Sequence, residues 1–149
     1  MFDLSKHDFT KSSEQGYTFE LKLPDGTSSG AKLTVIGDMS PVVKNYSRKK
    51  FQEYQQRQAM NRRKNKEEEL SLEEAEELAV DSAMVRLIGW SGVQDNGKDV
   101  EFSKDKAREV LTQHSWIREQ IMQEAQDVSN FKPKALKSGA SAARAAKAR

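Results

Sequence analysis

The chain has 149 residues, which is enough for one hydrophobic core with extensions but not for two independent domains. It has no cysteine, so disulfides, thiolate metal sites and cysteine nucleophiles are excluded, as in a protein of the reducing cytoplasm. Charged residues make up 32% of the chain and no run of eighteen apolar residues occurs, so we expect no membrane-spanning segment.

The first third of the chain predicts a β-hairpin after a flexible N-terminus (1–16). Apolar side chains alternate with polar ones over 17–23, which is the period of a half-buried strand. Residues 24–27 (Pro-Asp-Gly-Thr) favour a turn, and alternation resumes over 31–36 after a wide loop around 28–30. Because an isolated hairpin is marginally stable in water, its apolar face must pack on helices or on another subunit.

A long helix is predicted after the hairpin. Ser40 suits the N-cap and Pro41 the first helical position, and neither glycine nor proline interrupts the chain from there to about Lys66. The apolar residues of this segment form a thin, irregular stripe among basic residues. We therefore expect a largely exposed helix.

Three further helices are indicated by serine caps. Ser71 and Glu74 form a capping-box pattern at the start of the second helix. Its apolar residues recur at helical spacing: Leu72, Ala75, Leu78, Ala79, Ala83 and Leu87. This pattern predicts the central core helix, with Gly89 as its C-cap. Ser103 and Ser115 are the predicted caps of the third and fourth helices.

Both tryptophans lie between Gly89 and Phe131. Five apolar residues of this region are predicted to anchor the core: Trp90, Phe102, Trp116, Ile121 and Phe131. Asp95-Asn96-Gly97 is typical of a tight hairpin turn, so we expect a short hairpin or an ordered loop over 93–102.

The predicted elements make one α+β domain over 17–131. The hairpin (17–36) packs on a predominantly α-helical part with about four helices (41–131). The remaining segment, 132–149, consists of small and basic residues and has no large apolar residue after Leu136, so we expect a disordered basic tail.

Charge is segregated into blocks along the chain. Residues 41–66 have nine basic side chains and one glutamate, 67–81 have seven glutamates and one aspartate with no base, and 132–149 have six bases and no acid. Opposite blocks of this kind favour head-to-tail self-association. We therefore expect a ring-like or helical homo-oligomer.

The basic helix has the residues most suited to partner binding: Arg48, Lys49, Lys50, Phe51, Tyr54, Arg62 and Arg63. Such residues can follow a phosphate backbone and stack on bases. The alternative, that the basic and acidic blocks pair within or between subunits, is favoured because self-neutralising charge weakens the field that attracts polyanions. Nucleic acid is therefore a possible partner but not the preferred one.

No pattern in the sequence predicts catalysis. His7 and His114 are isolated, the glutamates form a solvated run, and no phosphate-binding, nucleophile-elbow or zinc-protease motif is present. We expect a protein that is not an enzyme and has no catalytic, cofactor-binding or metal-ligating residue.

An ordered set of short motifs resembles the C-terminal half of the tail assembly chaperones of long-tailed bacteriophages. The motifs are Gly89-Trp90, the loop at Asp95-Asn96-Gly97, Phe102-Ser103, Trp116-Ile117-Arg118-Glu119-Gln120-Ile121 and Asn130-Phe131. The resemblance extends over 17–131. It implies a protein that keeps the tape-measure protein in solution and recruits tail-tube subunits onto it. It also implies a site of action in the host cytoplasm and absence from the finished virion.

Two other functions are compatible with the residues. A nucleic-acid-binding phage accessory protein would use the basic helix, and a structural tail or connector subunit would remain in the virion. In the family, some copies are made as a longer product by ribosomal frameshifting, and the basic tail stands where such a junction would fall.

Overall fold

The described residues, 1–64 and 70–133 of a computed structural model, form an α+β fold, which confirms the class predicted from the sequence. The elements in chain order are α1 (Phe9–Gln15), β1 (Tyr17–Lys22), β2 (Ser28–Val35), α2 (Pro41–Lys64), α3 (Leu72–Arg86), β3 (Leu87–Ser91), β4 (Gln94–Asp95), β5 (Lys98–Asp99), α4 (Lys104–Gln113) and α5 (Ser115–Gln126). Short 3₁₀ turns span Leu4–Lys6 and Val128–Phe131. The predicted tail lies outside the described residues from position 134 onward.

The N-terminal segment, predicted to be flexible, contains a helix. The Asp8 side chain accepts a hydrogen bond from the N–H of Thr10 and caps α1. Ser12 and Ser13 are buried, and the carbonyl of Ser13 accepts from the N–H of Gly37 at 3.0 Å. This contact ties the segment to the loop after β2. Sequence reasoning missed α1 because seven residues are too few for a periodic pattern.

The predicted β1–β2 hairpin is present, but its loop is shorter than expected. The two strands are antiparallel, with Tyr17 opposite Val35, and a register shift precedes the pair of Lys22 and Ser28. Residues 28–30, predicted to form a wide loop, therefore belong to β2. The register shift accommodates them, because a bulge lets two strands stay paired when one of them contains more residues than the other over the same length.

A third strand replaces the predicted end of the core helix. The helix α3 ends at Arg86, and Leu87 adopts extended backbone angles. Strand β3 then pairs with β2, with Trp90 opposite Leu33. Gly89 is therefore a sheet residue and not a C-cap. The prediction was wrong because an apolar run fits a strand as well as a helix, and the free edge of β2 decides between them.

The core lies between one face of the three-stranded sheet and the helices α3, α4 and α5. Ile121 and Phe131 are fully buried, whereas Trp90, Phe102 and Trp116 are half-buried at the margin of the core. The indole N–H of Trp90 donates to the carbonyl of Val100 at 2.8 Å. Its ring meets Phe102 edge to face at a centroid distance of 5.1 Å. The two rings thus hold the segment after β3 against the domain.

The short hairpin predicted around Asp95-Asn96-Gly97 is formed by β4 and β5. Asn96 and Gly97 both have positive φ angles, 52° and 78°, as the two central residues of a tight primed turn require. The helix α4 begins after Ser103, which caps the N–H of Lys106. Ser115, predicted as a cap, is instead the first residue of α5, because His114 alone separates the two helices.

A side-chain amide fastens the hairpin to the last helix. Gln120 of α5 accepts from the N–H of Lys22 at 3.0 Å and donates to the carbonyl of Lys22 at 2.7 Å. Lys22 is the last residue of β1, an edge strand of the sheet. The amide therefore satisfies both backbone groups of that residue as a neighbouring strand would.

Candidate partner-binding arm

Two helices extend beyond the core as a pair. We call this pair the arm and define it as residues 51–64 of α2 together with residues 70–79, which comprise the first part of α3 and the two residues before it. The helix α2 has 24 residues, about 36 Å at the rise of an α-helix. Val43, outside the arm, is its one buried residue. In α3, burial begins only at Val80. The prediction that α3 is a central core helix therefore holds for its C-terminal half alone.

Local sequence chemistry explains why both arm helices form without a core beneath them. The Ser71 hydroxyl accepts from the N–H of Glu74 and starts α3, and acidic residues occupy its first turn. Basic residues occupy the last turn of α2, where they suit the negative helix end. The second half of the predicted capping box is missing, because the Glu74 carboxylate accepts from Arg57 and does not turn back to Ser71.

A groove of about 340 Å³ runs between the two helices. Its apolar lining consists of Tyr54, Leu70 and Leu78, which keep 58%, 52% and 36% of their surface exposed. The guanidinium of Arg57 donates to the carboxylate of Glu74 at 3.1 Å and holds the helices together beside the groove. Exposed leucine and tyrosine side chains that line a common concavity are typical of a docking surface.

The structure separates the residues predicted for partner binding. Lys50 and Tyr54 line the groove, and Phe51, 60% exposed, is adjacent to Tyr54 because side chains three positions apart share a helix surface. The other predicted residues are exposed on α2 outside the groove lining: Arg48, Lys49, Arg62 and Arg63.

Sequence reasoning missed Leu70 and Leu78 as site residues. Leu78 was assigned to the core, because its spacing fits the apolar pattern of α3. The available signal was the wealth of glutamates around it, four of them between Leu72 and Leu78. So many charged neighbours are typical of a helix that no core covers.

The arm carries opposite charge on its two helices. The helix α2 has eight basic residues and one glutamate, and α3 has five acidic residues and one arginine. Among the described residues, ion pairs neutralise only part of this charge. The Asp81 carboxylate forms an ion pair with the Arg108 guanidinium of α4 at 2.8 Å. Glu73 and Glu76 make no ion pair with any described residue. Residues 67–69 of the predicted acidic block lie outside the described residues.

The described residues include no group of three or more His, Asp or Glu side chains that could hold a metal ion. No described helix is long and apolar enough to cross a bilayer. Another concavity, of about 180 Å³, lies beside Trp90, and half of its lining residues belong to the buried core. The arm is a surface on which several apolar side chains remain exposed and line one groove.

The segment that contains the arm and the helices that follow it in the chain matches a known protein family. The sequence model described as YdaY prophage protein matches residues 40–141, from the start of α2 to beyond the last described residue. The fold and this match define a phage-derived α+β protein. Because more than half of the chain is covered, it belongs to the YdaY prophage protein family. Comparison with curated proteins and with solved structures finds no match.

Proposed function

We propose that this phage-derived protein is a tail assembly chaperone that binds the tape-measure protein through the arm and recruits tail-tube subunits onto it. It acts in the host cytoplasm and leaves before the virion is complete. The observation that carries the proposal is the groove with its exposed Tyr54, Leu70 and Leu78, on a domain whose other apolar side chains are mostly packed. The resemblance described above supports the choice of client.

A groove between two helices accepts the ridge of a third helix. An amphipathic client helix would place apolar side chains at three- and four-residue spacing against Tyr54 and Leu78. Burying a few such side chains contributes about 1.5 to 3 kcal/mol each before the entropy of association is subtracted, so one copy binds weakly. A long helical client that carries many copies gains strength from their number. The role is binding and not chemistry, and it needs no cofactor.

The test is co-expression with the tape-measure protein of the same prophage, followed by measurement of the soluble fraction of that client. Native chain is expected to raise this fraction, and the double variant Phe51→Ala, Tyr54→Ala to lose most of the effect. The matched control is Val42→Ala, because Val42 is 55% exposed on the same helix but lies outside the arm. A client whose solubility is equal with and without the native chain refutes the proposal.

Nucleic acid binding is the second candidate function. The observation in its favour is that Arg48 and Arg62 are exposed on the same helix as Phe51 and make no ion pair with a described residue. Affinity for DNA or RNA would then fall steeply with salt, and Arg48→Glu with Arg62→Glu would abolish it. A virion subunit, the remaining alternative, would be recovered in stoichiometric amounts from purified particles.

A further inference from the structure

We propose that the concavity beside Trp90 is a binding site for a small, uncharged, apolar molecule of about the size of benzene. We call this concavity the Trp90 cavity. Its walls come from the three-stranded sheet, from α4 and α5, and from the loop at Gly92 and Val93. It shares no lining residue with the groove of the arm, so this inference does not depend on the proposed function.

The first observation is that the way in which Trp90 is fixed keeps the cavity open. The indole ring forms part of the wall, its N–H donates to the carbonyl of Val100 at 2.8 Å, and Phe102 meets it edge to face. Turning the ring into the space would break this hydrogen bond, which is unfavourable. Ala31 of β2 lines the same space with a methyl group alone. The cavity is therefore preformed, as ligand sites usually are.

The second observation is that the polar side chains of the lining already have partners. These side chains are Ser29, Trp90 and Gln94. The Ser29 hydroxyl donates to the carbonyl of Leu21, and the amide nitrogen of Gln94, which is exposed at the rim, donates to Asp99. No charged side chain among the described residues lines the cavity. A polar or charged group of a ligand would remain unpaired inside it, so the site favours an uncharged apolar molecule.

The third observation concerns size, which favours a small free molecule over a protein segment. The cavity has a volume of about 180 Å³. An apolar cavity of about 150 Å³ in another protein takes one molecule of benzene. The lining contains none of the exposed large hydrophobic side chains of the described residues. A protein partner would therefore gain little apolar contact around the entrance, whereas specific interfaces bury about 800 Å² on each partner.

An NMR titration of the full chain with benzene tests the proposal. Of the two tryptophans, only Trp90 lines the cavity, so the indole N–H of Trp116 is an internal reference. Benzene is expected to shift the Trp90 signal and to leave the Trp116 signal nearly unchanged. Pyrazine has the shape of benzene but two nitrogen acceptors, one of which would be buried without a donor, so it should bind about tenfold more weakly or worse. An unmoved Trp90 signal, equal shifts of both tryptophans, or equal affinity for the two compounds overturns the proposal.

A variant that fills the space separates binding in the cavity from binding elsewhere. Ala31→Leu places a larger side chain there, so it should abolish the shift of Trp90 by benzene and leave the urea midpoint of unfolding equal or higher. The matched control is Ala107→Leu, because Ala107 is also buried but does not line the cavity. It should lower the midpoint through overpacking. Equal losses in the two variants would show that the space is not available, and a surviving shift in Ala31→Leu would show that benzene binds elsewhere. Either result refutes the proposal, and neither bears on the client assay.

Discussion

The ion pair of Arg86 and Asp38 permits a quantitative test of how the C-terminal end of α3 is held. The guanidinium donates from Nε to the Asp38 carboxylate at 2.7 Å and from Nη1 to the carbonyl of Ser82 at 2.7 Å. The arginine side chain is 9% exposed and the aspartate side chain 36%. The N–H of Asp38 also donates to the carbonyl of Ala125, so the pair connects α3 with α5 through the loop after β2.

Removing the carboxylate leaves a buried positive charge without its partner. Breaking a fully buried pair costs about 3 to 5 kcal/mol. Because Asp38 is one-third exposed and Arg86 keeps its bond to Ser82, we expect Asp38→Ala to cost about 2 to 3 kcal/mol. Arg86→Met removes the buried charge and keeps the apolar stem, so its cost is smaller, about 1 to 2 kcal/mol.

The assay is urea unfolding followed by tryptophan fluorescence, with the free energy of unfolding compared across a double-mutant cycle. The double variant Asp38→Ala, Arg86→Met should cost less than the sum of the single variants by about 1 kcal/mol or more. The difference should change little with salt, because a buried pair is poorly screened. Additive costs, or a cost of Asp38→Ala below about 0.5 kcal/mol, would refute the reasoning.

Two further predictions concern turns. Gly92 has φ +71° and a Cβ there would stand 2.7 Å from the carbonyl oxygen of Gly30, so Gly92→Ala should cost about 2 kcal/mol or more in urea unfolding. Gly89→Ala is the matched control and should change stability by less than about 0.5 kcal/mol, because nothing lies within 4 Å of its Cβ position; equal costs would contradict the argument. Two hydrogen bonds from Thr27 to the Asp25 carboxylate hold the pKa of that carboxyl below the ordinary value. The bond from the Thr27 hydroxyl has the larger effect, and the bond from its N–H the smaller one. The resulting stabilisation is present above the unfolded pKa and is lost as pH falls through the folded one. Thr27→Val should move the pKa of Asp25 upward in a carboxyl NMR titration, and an unchanged value would show that the hydroxyl has no part in it.

The elements that sequence predicted well are those fixed by chemistry within a few residues. Ser71 and Ser103 cap helices where the pattern placed them, and Asn96 with Gly97 turns the short hairpin as expected. The alternation of apolar and polar residues over β1 identified a strand, because successive side chains of any strand point to opposite faces and this pattern can be read without knowledge of the neighbouring elements.

The elements that sequence missed depend on contacts far along the chain. Leu87 and the residues after it become a strand only because β2, some fifty residues earlier, offers a free edge. The groove was missed for a related reason. Apolar spacing shows which face of α3 is hydrophobic, but the length of helix that the core covers is set by where α4 and α5 end. Leu78 therefore fits a core pattern and yet lies beyond the core.

The amide of Gln120 has a consequence for incomplete chains. It joins residues 98 positions apart, so the hairpin can form long before its outer edge is occupied. A fragment that stops ahead of α5 keeps the hairpin but leaves the backbone groups of Lys22 open at the end of an edge strand. Exposed strand edges recruit strands from other molecules. Degradation products and stalled translation products of this chain are therefore expected to be more prone to aggregation than the complete protein.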